Sequence, residues 1–350
     1  MRTTPLWLLL LAMLSGPAFA APIRTVFVVA MENHNLVQPN LTEFLRQLLG
    51  NPAAPYLNSL VTPGNPNARY TAYAAHLSNA FSHGRPVHPS EPNYIFEVSG
   101  SSFWIETDAD PSPNHGNIVK EPSVMSLMAQ KGVSWKSYQE DARFSPTAGT
   151  TSKSGRSASY TNSFNGSHQY YYMAKHNPMA FFASSMHRRN AYETFAQLQS
   201  DLAHNTYARF NWITPDGYND MHTPLSGGFT YRGVAYAGDQ AAIAAGDNFL
   251  SRMIPALEAT RAFQNGTALI EIWFDESEIG NGAAYPIPEV IISKQAKGNA
   301  YKVIEPLTHA ADTRTFEEIF GLPCTYQACT SPDLSAFMRP GAIRRPEPAR

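Results

Sequence analysis

Thr25-Val26-Phe27-Val28-Val29-Ala30, followed at once by Met31-Glu32-Asn33-His34, sets the architecture of this chain. A β-rich run this apolar has no polar face, so the strand it forms is buried on both sides, as in a parallel sheet. Three runs repeat the pattern: Phe210 to Thr214 (FNWIT), Ala268 to Phe274 (ALIEIWF) and Glu289 to Ser293 (EVIIS). Helical patterns lie between them, over Thr42 to Leu49, Ser123 to Gly132, Asp239 to Arg261 and Thr315 to Phe320. Pro122 ahead of the second and Gly132 behind it are start and stop signals. Strands alternating with helices predict an α/β fold, an open and mainly parallel sheet with helices on both faces.

Ligands of such sheets bind outside the carboxyl ends of the strands. The first strand delivers Glu32, Asn33 and His34 there, FNWIT delivers Asp216 to His222, and ALIEIWF delivers Asp275 and Glu276. Carboxylate and amide oxygens of Glu32, Asn33, Asp275 and Glu276 suit a hard divalent cation. Each pair alone also reads as a strand-end cap hydrogen-bonding a loop. Two pairs meeting at one edge repel each other unless a cation sits between them. Asp216, Asp220 and His222 offer a second metal site or protonation of a leaving group. His309, just ahead of the last helix, offers a remote imidazole for the same site, or a polar contact at a helix start.

His88-Pro89-Ser90-Glu91-Pro92-Asn93-Tyr94 reads as a turn stiffened by two prolines. A hydroxyl held that rigidly suits in-line attack on phosphorus, although serines in proline-rich turns are common. His88 then orients a phosphate oxygen or assists the leaving group, or serves the turn alone. A hydroxyl beside clustered oxygen ligands points to metal-assisted attack on a phosphate ester. The chain has no G-x-S-x-G, no H-E-x-x-H, no P-loop and no G-x-G-x-x-G. Ordinary α/β-hydrolase, metalloprotease, nucleotide-driven and nicotinamide chemistries lose support accordingly.

Residues 1–20 read as a secretory signal, with Arg2, an apolar Leu6 to Leu14 and a small-x-small Ala18-Phe19-Ala20 site. The apolar stretch is short for a membrane anchor, and the mature chain is expected to be soluble and exported, periplasmic or secreted. A single domain is expected over 21–338, with a polar insertion over about 144–187 that either covers the sheet or forms a mobile surface loop. A Pro/Arg-rich disordered tail is expected over 339–350. The chain has 26 basic and 28 acidic residues and a net charge of −2, which gives no sign of nucleic-acid binding. A small phosphorylated substrate is expected, with no protein partner and no stable membrane insertion. Cys324 and Cys329, in an exported chain, predict a small disulfide loop.

The chain resembles the phosphoesterase family that groups secreted acid phosphatases with bacterial phospholipases C, within the alkaline phosphatase superfamily. The matching stretches run in the family's order over about residues 24–323: VVAMENHN, HPSEPNYIFEVSGS, GVSWKSYQEDA, KHNPMAFF, NWITPDGYNDMH, AAGDNFL, IWFDES and LTHAADTRTFEEIFGLP. HPSEPNY and KHNP look like the acid-phosphatase branch. The resemblance implies an alkaline-phosphatase-like α/β/α sandwich and a divalent metal, Zn, Mg, Mn or Ca, held by Glu32, Asn33, Asp275 and Glu276. It implies Ser90 as a nucleophile forming a phospho-enzyme, in the Ser90-Glu91-Pro92-Asn93 turn. It places Asp216, Asp220, His222 and His309 as further metal ligands or leaving-group contacts. The chain departs from the pattern at Asp216, where Asn is usual, at Thr223, where an acid is usual, and at Ala310-Ala311, where Tyr-Ser is usual. His34 and His176 are expected to wall the substrate pocket. The expected function is hydrolysis of phosphate monoesters, catalysed by Ser90, His88, Asn93 and His222. Diester or phospholipid hydrolysis is the alternative, and a non-catalytic phosphate- or glycan-binding protein on the same fold is a third reading.

Overall fold

All seven side chains of Thr25–Met31 are buried, and this strand lies inside an eight-stranded sheet. The computed structural model describes residues 22–38, 47–82, 84–142, 155–157, 170–278 and 286–344. The expected signal, much of the expected 144–187 insertion and most of the Thr42 to Leu49 helix lie outside the described residues, and residues 47–50 form a bend and turn. In chain order the sheet strands are β1 (Thr25–Met31), β2 (Thr71–Ala74), β3 (Trp135–Gln139), β4 (Tyr192–Thr194), β5 (Phe210–Thr214), β6 (Ala268–Phe274), β7 (Glu289–Ile292) and β8 (Tyr301–Val303). Across the sheet they run β8-β2-β7-β6-β1-β5-β3-β4. The expected FNWIT and ALIEIWF strands are β5 and β6. The EVIIS run is a correction: as β7 it lies antiparallel to both β6 and β2. Only 14 residues, 275–288, separate β6 from β7, a short connection of the kind that suits an antiparallel neighbour.

The helices are α1 (Pro55–Leu60), α2 (Ser90–Glu97), α3 (Val124–Gln130), α4 (Phe195–His204), α5 (Asp239–Glu258), α6 (Arg261–Gln264) and α7 (Ala310–Phe320). Ser123 opens α3 with a reciprocal capping box to Ser126. The expected Asp239 to Arg261 helix divides into α5 and α6, and the last helix starts at Ala310 rather than Thr315. Ser90, expected in a turn, is the first residue of α2, all eight of whose residues are buried. Prolines are tolerated in a first helical turn because those N–H groups have no partner inside the helix. Pro89 and Pro92 therefore start this helix rather than prevent it.

Trp212 of β5 and Trp273 of β6 pack edge-on against each other and against Tyr94 of α2, with ring centroids 5.0–6.0 Å apart. This aromatic floor joins α2 to the middle of the sheet. Gly246 does the corresponding job in α5. A Cβ there would lie 2.9 Å from the Met221 backbone nitrogen and 3.1 Å from the Asn219 carbonyl oxygen. Only glycine lets the 219–221 loop, which carries Asp220, lie this close to the helix. Residues 339–344 are docked, which corrects the expected tail there: Arg339 donates to Gln295 at 2.8 Å, and the Ala342 carbonyl accepts from Ile23 at 3.0 Å. Residues 345–350 lie outside the described residues. Among the described residues no helix is long and apolar enough to cross a membrane.

Candidate active site

The register of the sheet brings two acidic segments together. Met31 pairs with Phe274, so Glu32 and Asp275 leave the carboxyl edge side by side. The Asp275 amide donates to the Met31 carbonyl at 3.3 Å, and the Glu32 amide donates to Asp220 at 2.9 Å. Helix α2 faces this edge with Ser90, Asn93 and Tyr94, three residues on one helical stripe. Ser90 Oγ lies 3.0 Å from Glu32 Oε2, 3.3 Å from Asn33 Oδ1 and 3.3 Å from Glu276 Oε1. Asn33 Nδ2 donates to Glu276 Oε1 at 2.6 Å. The hydroxyl and three of the four expected ligands thus meet at one point, and Asp275 stands next to them in the register.

Asn93 ties α2 to its own entry, its Nδ2 lying 2.9 Å from the Val87 carbonyl and 3.3 Å from Glu276 Oε2. The other side of Glu32 is closed by Tyr94, whose hydroxyl donates to Oε1 at 2.8 Å, and by His176, whose Nε2 lies 3.0 Å from the same oxygen. Tyr94 and His176 stack at 4.9 Å with planes 4° apart. His176 is therefore buried behind Glu32 and does not wall the substrate pocket as expected. Burial first, then Lys175 and His222, push its pKa well below the ordinary imidazole value.

His88 Nδ1 lies 2.5 Å from Glu276 Oε2, and Asn79 Nδ2 lies 3.2 Å from His88 Nε2. Its contact here is the Glu276 carboxylate. A cavity of about 370 Å³ opens beside it, lined by Arg85, Pro86, Val87, Ser102, Ile105 and Glu106 among others. A larger one of about 590 Å³, lined by Gly132, Val133 and Trp135, opens at the amino end of β3, away from this edge.

The residues expected as further ligands or leaving-group contacts each have surroundings of their own. Asp216 Oδ1 accepts the backbone amides of Tyr218 and Asn219 at 3.1 Å, and its carboxyl is set against Glu140 and Asp141. Asp220 Oδ1 accepts from the His222 amide at 2.8 Å, and burial lifts its pKa to about 6. His222 is exposed, and its pKa is pushed down to about 4 by desolvation, His34 and Lys175. His309 is fully buried, its Nε2 lies 2.7 Å from the Asp275 carbonyl, and its Nδ1 accepts from the Trp273 indole at 2.9 Å. Both ring nitrogens are engaged, and through Nε2 it positions Asp275. His34 is also buried rather than pocket-lining, with Nε2 3.5 Å from Asp239 and 3.8 Å from Glu278. These three offer ligand atoms within 4.8 Å of one another, a second place able to hold a cation.

Two residues at this edge escaped the sequence reading. Tyr94 lies four residues after Ser90, the helical spacing that put both on one face. Lys175, in the KHNP stretch, pairs with Asp108. Burial pulls its pKa down, but Glu32, Asp108 and Asp275 outweigh that and hold the ammonium above its ordinary value. A fixed cation this close to the site suits a phosphate oxygen.

The donor set fits a hard divalent cation. Both Asp275 oxygens are buried without a hydrogen-bond partner. Burial, then Glu32 and Glu276, raise the Asp275 pKa well above the carboxylate range, while burial and Asp220 do the same for Glu32. Crowded carboxylates with orphan oxygens are stable in their charged form only against a positive charge.

A sequence profile of the phosphoesterase family matches residues 70–323. The chain is 25% identical over 288 residues to a phosphatidylinositol-3-phosphatase of Mycobacterium tuberculosis, an alignment covering 82% of this chain and 77% of that protein. It is 31% identical over 142 residues to a phosphate-repressible acid phosphatase of Penicillium chrysogenum, covering 39% of this chain and 30% of the fungal one. In fold it is similar to a Vibrio parahaemolyticus protein of the alkaline phosphatase superfamily (TM-score 0.50, 10% identity, 93% of this chain and 72% of that one). It is similar also to the lipoteichoic acid synthase LtaP of Listeria monocytogenes (TM-score 0.51, 11% identity, 91% and 78%). The chain belongs to the phosphoesterase family, has the α/β fold of the alkaline phosphatase superfamily, and is a phosphoric ester hydrolase.

Proposed function

We propose that this protein is an exported phosphomonoesterase that works through a phosphoserine at Ser90, with one divalent cation held by Glu32, Asn33, Asp275 and Glu276. The observation that carries this reading is the position of Ser90 Oγ, 3.0–3.3 Å from Glu32, Asn33 and Glu276. A cation bound there supplies a lowered pKa for the Ser90 hydroxyl and a counter-charge for the phosphate. Ser90 Oγ forms the bond to phosphorus as the ester bond to the departing alcohol breaks. The Ser90 proton has Glu32 Oε2 as its nearest acceptor, at 3.0 Å. Lys175 offsets charge on the transferring group. His222 supplies the proton that the departing alcohol takes up. Water then cleaves the phosphoserine, releasing inorganic phosphate and restoring Ser90.

Rapid-quench trapping with a chromogenic monoester tests this reading. The acid-denatured peptide containing Ser90 gains one phosphoryl group, and Ser90→Ala does not. An unlabelled Ser90 peptide during steady turnover overturns the covalent mechanism. A panel of phosphate mono- and diesters assayed in parallel tests the substrate class: a higher kcat/KM on diesters overturns the monoester assignment.

A further inference from the structure

Beneath the active site lies a second concentration of acid that the proposed chemistry does not use. Glu97 ends α2, Glu271 lies in the middle of β6, Glu289 begins β7, and Asp312 lies in the first turn of α7. All four are 0% exposed. The register explains how the two strands contribute. Glu271 pairs with Ile291 and Trp273 pairs with Glu289, so Glu271, Trp273 and Glu289 share one face of the sheet. Ligand atoms of Glu271, Glu289 and Asp312 lie within 4.8 Å of one another, and so do those of Glu97, His309 and Asp312.

What separates this cluster from an acidic patch is how few donors its oxygens have: the Trp273 indole, already bonded to His309 Nδ1, is the one that acts on Glu97. Seven of its eight carboxylate oxygens are buried with no hydrogen-bond partner. The eighth, Asp312 Oδ2, faces His309 Nδ1 at 3.4 Å. That nitrogen accepts the Trp273 N–H at 2.9 Å, and the single proton of the neutral ring points from Nε2 to the Asp275 carbonyl. It has no proton left for Asp312. Burial pushes all four carboxyls well above the carboxylate range, and Asp312 raises the other three further. Four such groups from four elements, joined through Asp312 and with no lysine or arginine among the described groups that shift them, are far costlier than apolar residues in the same places.

We propose that Glu97, Glu271, Glu289 and Asp312 form a second, interior site for one hard divalent cation, of the calcium class by its all-oxygen donors. The ion ties β6 and β7 to α2 and α7, the two helices that carry Ser90 and follow His309. Its role is structural, because the site is closed to solvent and Ser90 lies two helical turns away along α2.

Calcium binding to chelator-treated full-length protein tests the site. The background is Glu32→Gln/Asp275→Asn, which disables the active-site ligands. This variant still binds one calcium ion per chain, and its Tm rises with calcium concentration as expected for a ligand of the folded state. No binding and no Tm shift overturns the proposal and leaves a cluster of protonated carboxyls. Adding Glu271→Gln/Glu289→Gln abolishes both responses; if calcium still binds, the ion belongs elsewhere, for example at His34, Asp239 and Glu278. Should that variant fail to fold, crystals of the unsubstituted protein grown with manganese decide. An anomalous peak among the four acids supports the site, and density with no peak there overturns it.

Discussion

Asp201 and Asp275 are both buried aspartates packed against the same sheet, yet their surroundings are opposite. Asp201 is fully answered. Its Oδ2 accepts from Lys136 at 2.5 Å and from Tyr138 at 2.7 Å, and its Oδ1 accepts from Gln197 at 3.0 Å and from Thr206 at 2.7 Å. Burial pulls its pKa up, but Lys136, Thr206, Tyr138 and Gln197 together bring it below the ordinary value. Neither Asp275 oxygen has a hydrogen-bond partner of good geometry, and burial, Glu32 and Glu276 raise its pKa against weaker opposition from the Ser90 hydroxyl and the Glu276 amide. A buried acid whose oxygens are all satisfied holds a fold together. One whose oxygens are orphaned waits for something to bind.

The largest effect is expected where the orphaned acids meet the hydroxyl. Ser90→Ala lowers kcat on the order of 10⁴-fold or more, with the circular dichroism spectrum unchanged, because covalent catalysis fails outright without the nucleophile. Near-normal turnover removes Ser90 from the mechanism and with it the reading of the whole edge. Asp275→Asn is next, with kcat/KM down about 10²–10⁴-fold, the range expected from losing a charge that holds a catalytic cation. The contrast with Asp201 lies in stability. In chelated protein Asp275→Asn leaves Tm unchanged or raises it, since it removes an unanswered buried charge. A marked drop in Tm of the chelated variant places Asp275 with Asp201, among the structural acids.

Asp201→Asn reverses the pattern. It costs about 2–4 kcal/mol of stability at pH 7 while turnover per folded molecule is retained. The sign with pH follows from a depressed folded pKa. The contribution of Asp201 is present above the unfolded value, about 3.9, and is lost as pH falls through the lower folded value. Denaturant titrations of the two proteins therefore converge below about pH 4. A stability difference that grows toward acid contradicts the donor assignment.

Much of this contrast was legible in the sequence. β1, β5 and β6 are apolar runs, and the acids just beyond them marked the active edge. β3 and β4, read as WKSYQ and YET, lie toward the outside of the sheet, where Lys136 and Glu193 are half-buried and break the apolar signal. Helix α2 was hidden by its prolines, although Ser90, Asn93, Tyr94 and Glu97 follow the spacing of one helical face. The glutamates inside ALIEIWF and EVIIS were visible too, but their meaning depends on Asp312 and Glu97 arriving from distant helices. The role of His309 is equally a matter of tertiary structure. Its position ahead of a helix was legible, but its hydrogen bonds to Trp273 and to the Asp275 carbonyl were not.

The smallest effect concerns a third buried acid, Glu317, answered as Asp201 is but on one oxygen only: its Oε2 has no hydrogen-bond partner and meets Arg314 at 3.7 Å. Glu317 Oε1 accepts from the Thr325 amide at 2.7 Å and from the Thr325 hydroxyl at 2.8 Å. Thr325 is presented by the loop that the Cys324–Cys329 disulfide closes. The same loop rests on Gly100, where an added Cβ would lie 2.9 Å from the Thr325 carbonyl oxygen. The bond therefore secures donors for a structural acid and touches none of Glu32, Ser90 or Asp275. Closing so short a loop is worth about 2 kcal/mol in the chain-entropy account. The Cys324→Ser/Cys329→Ser double variant should melt a few degrees earlier with kcat unchanged per folded molecule. Two thiols titrated in the native, unreduced protein remove the bond, and a loss of kcat without unfolding joins this loop to the catalytic edge, against the division drawn between Asp201 and Asp275.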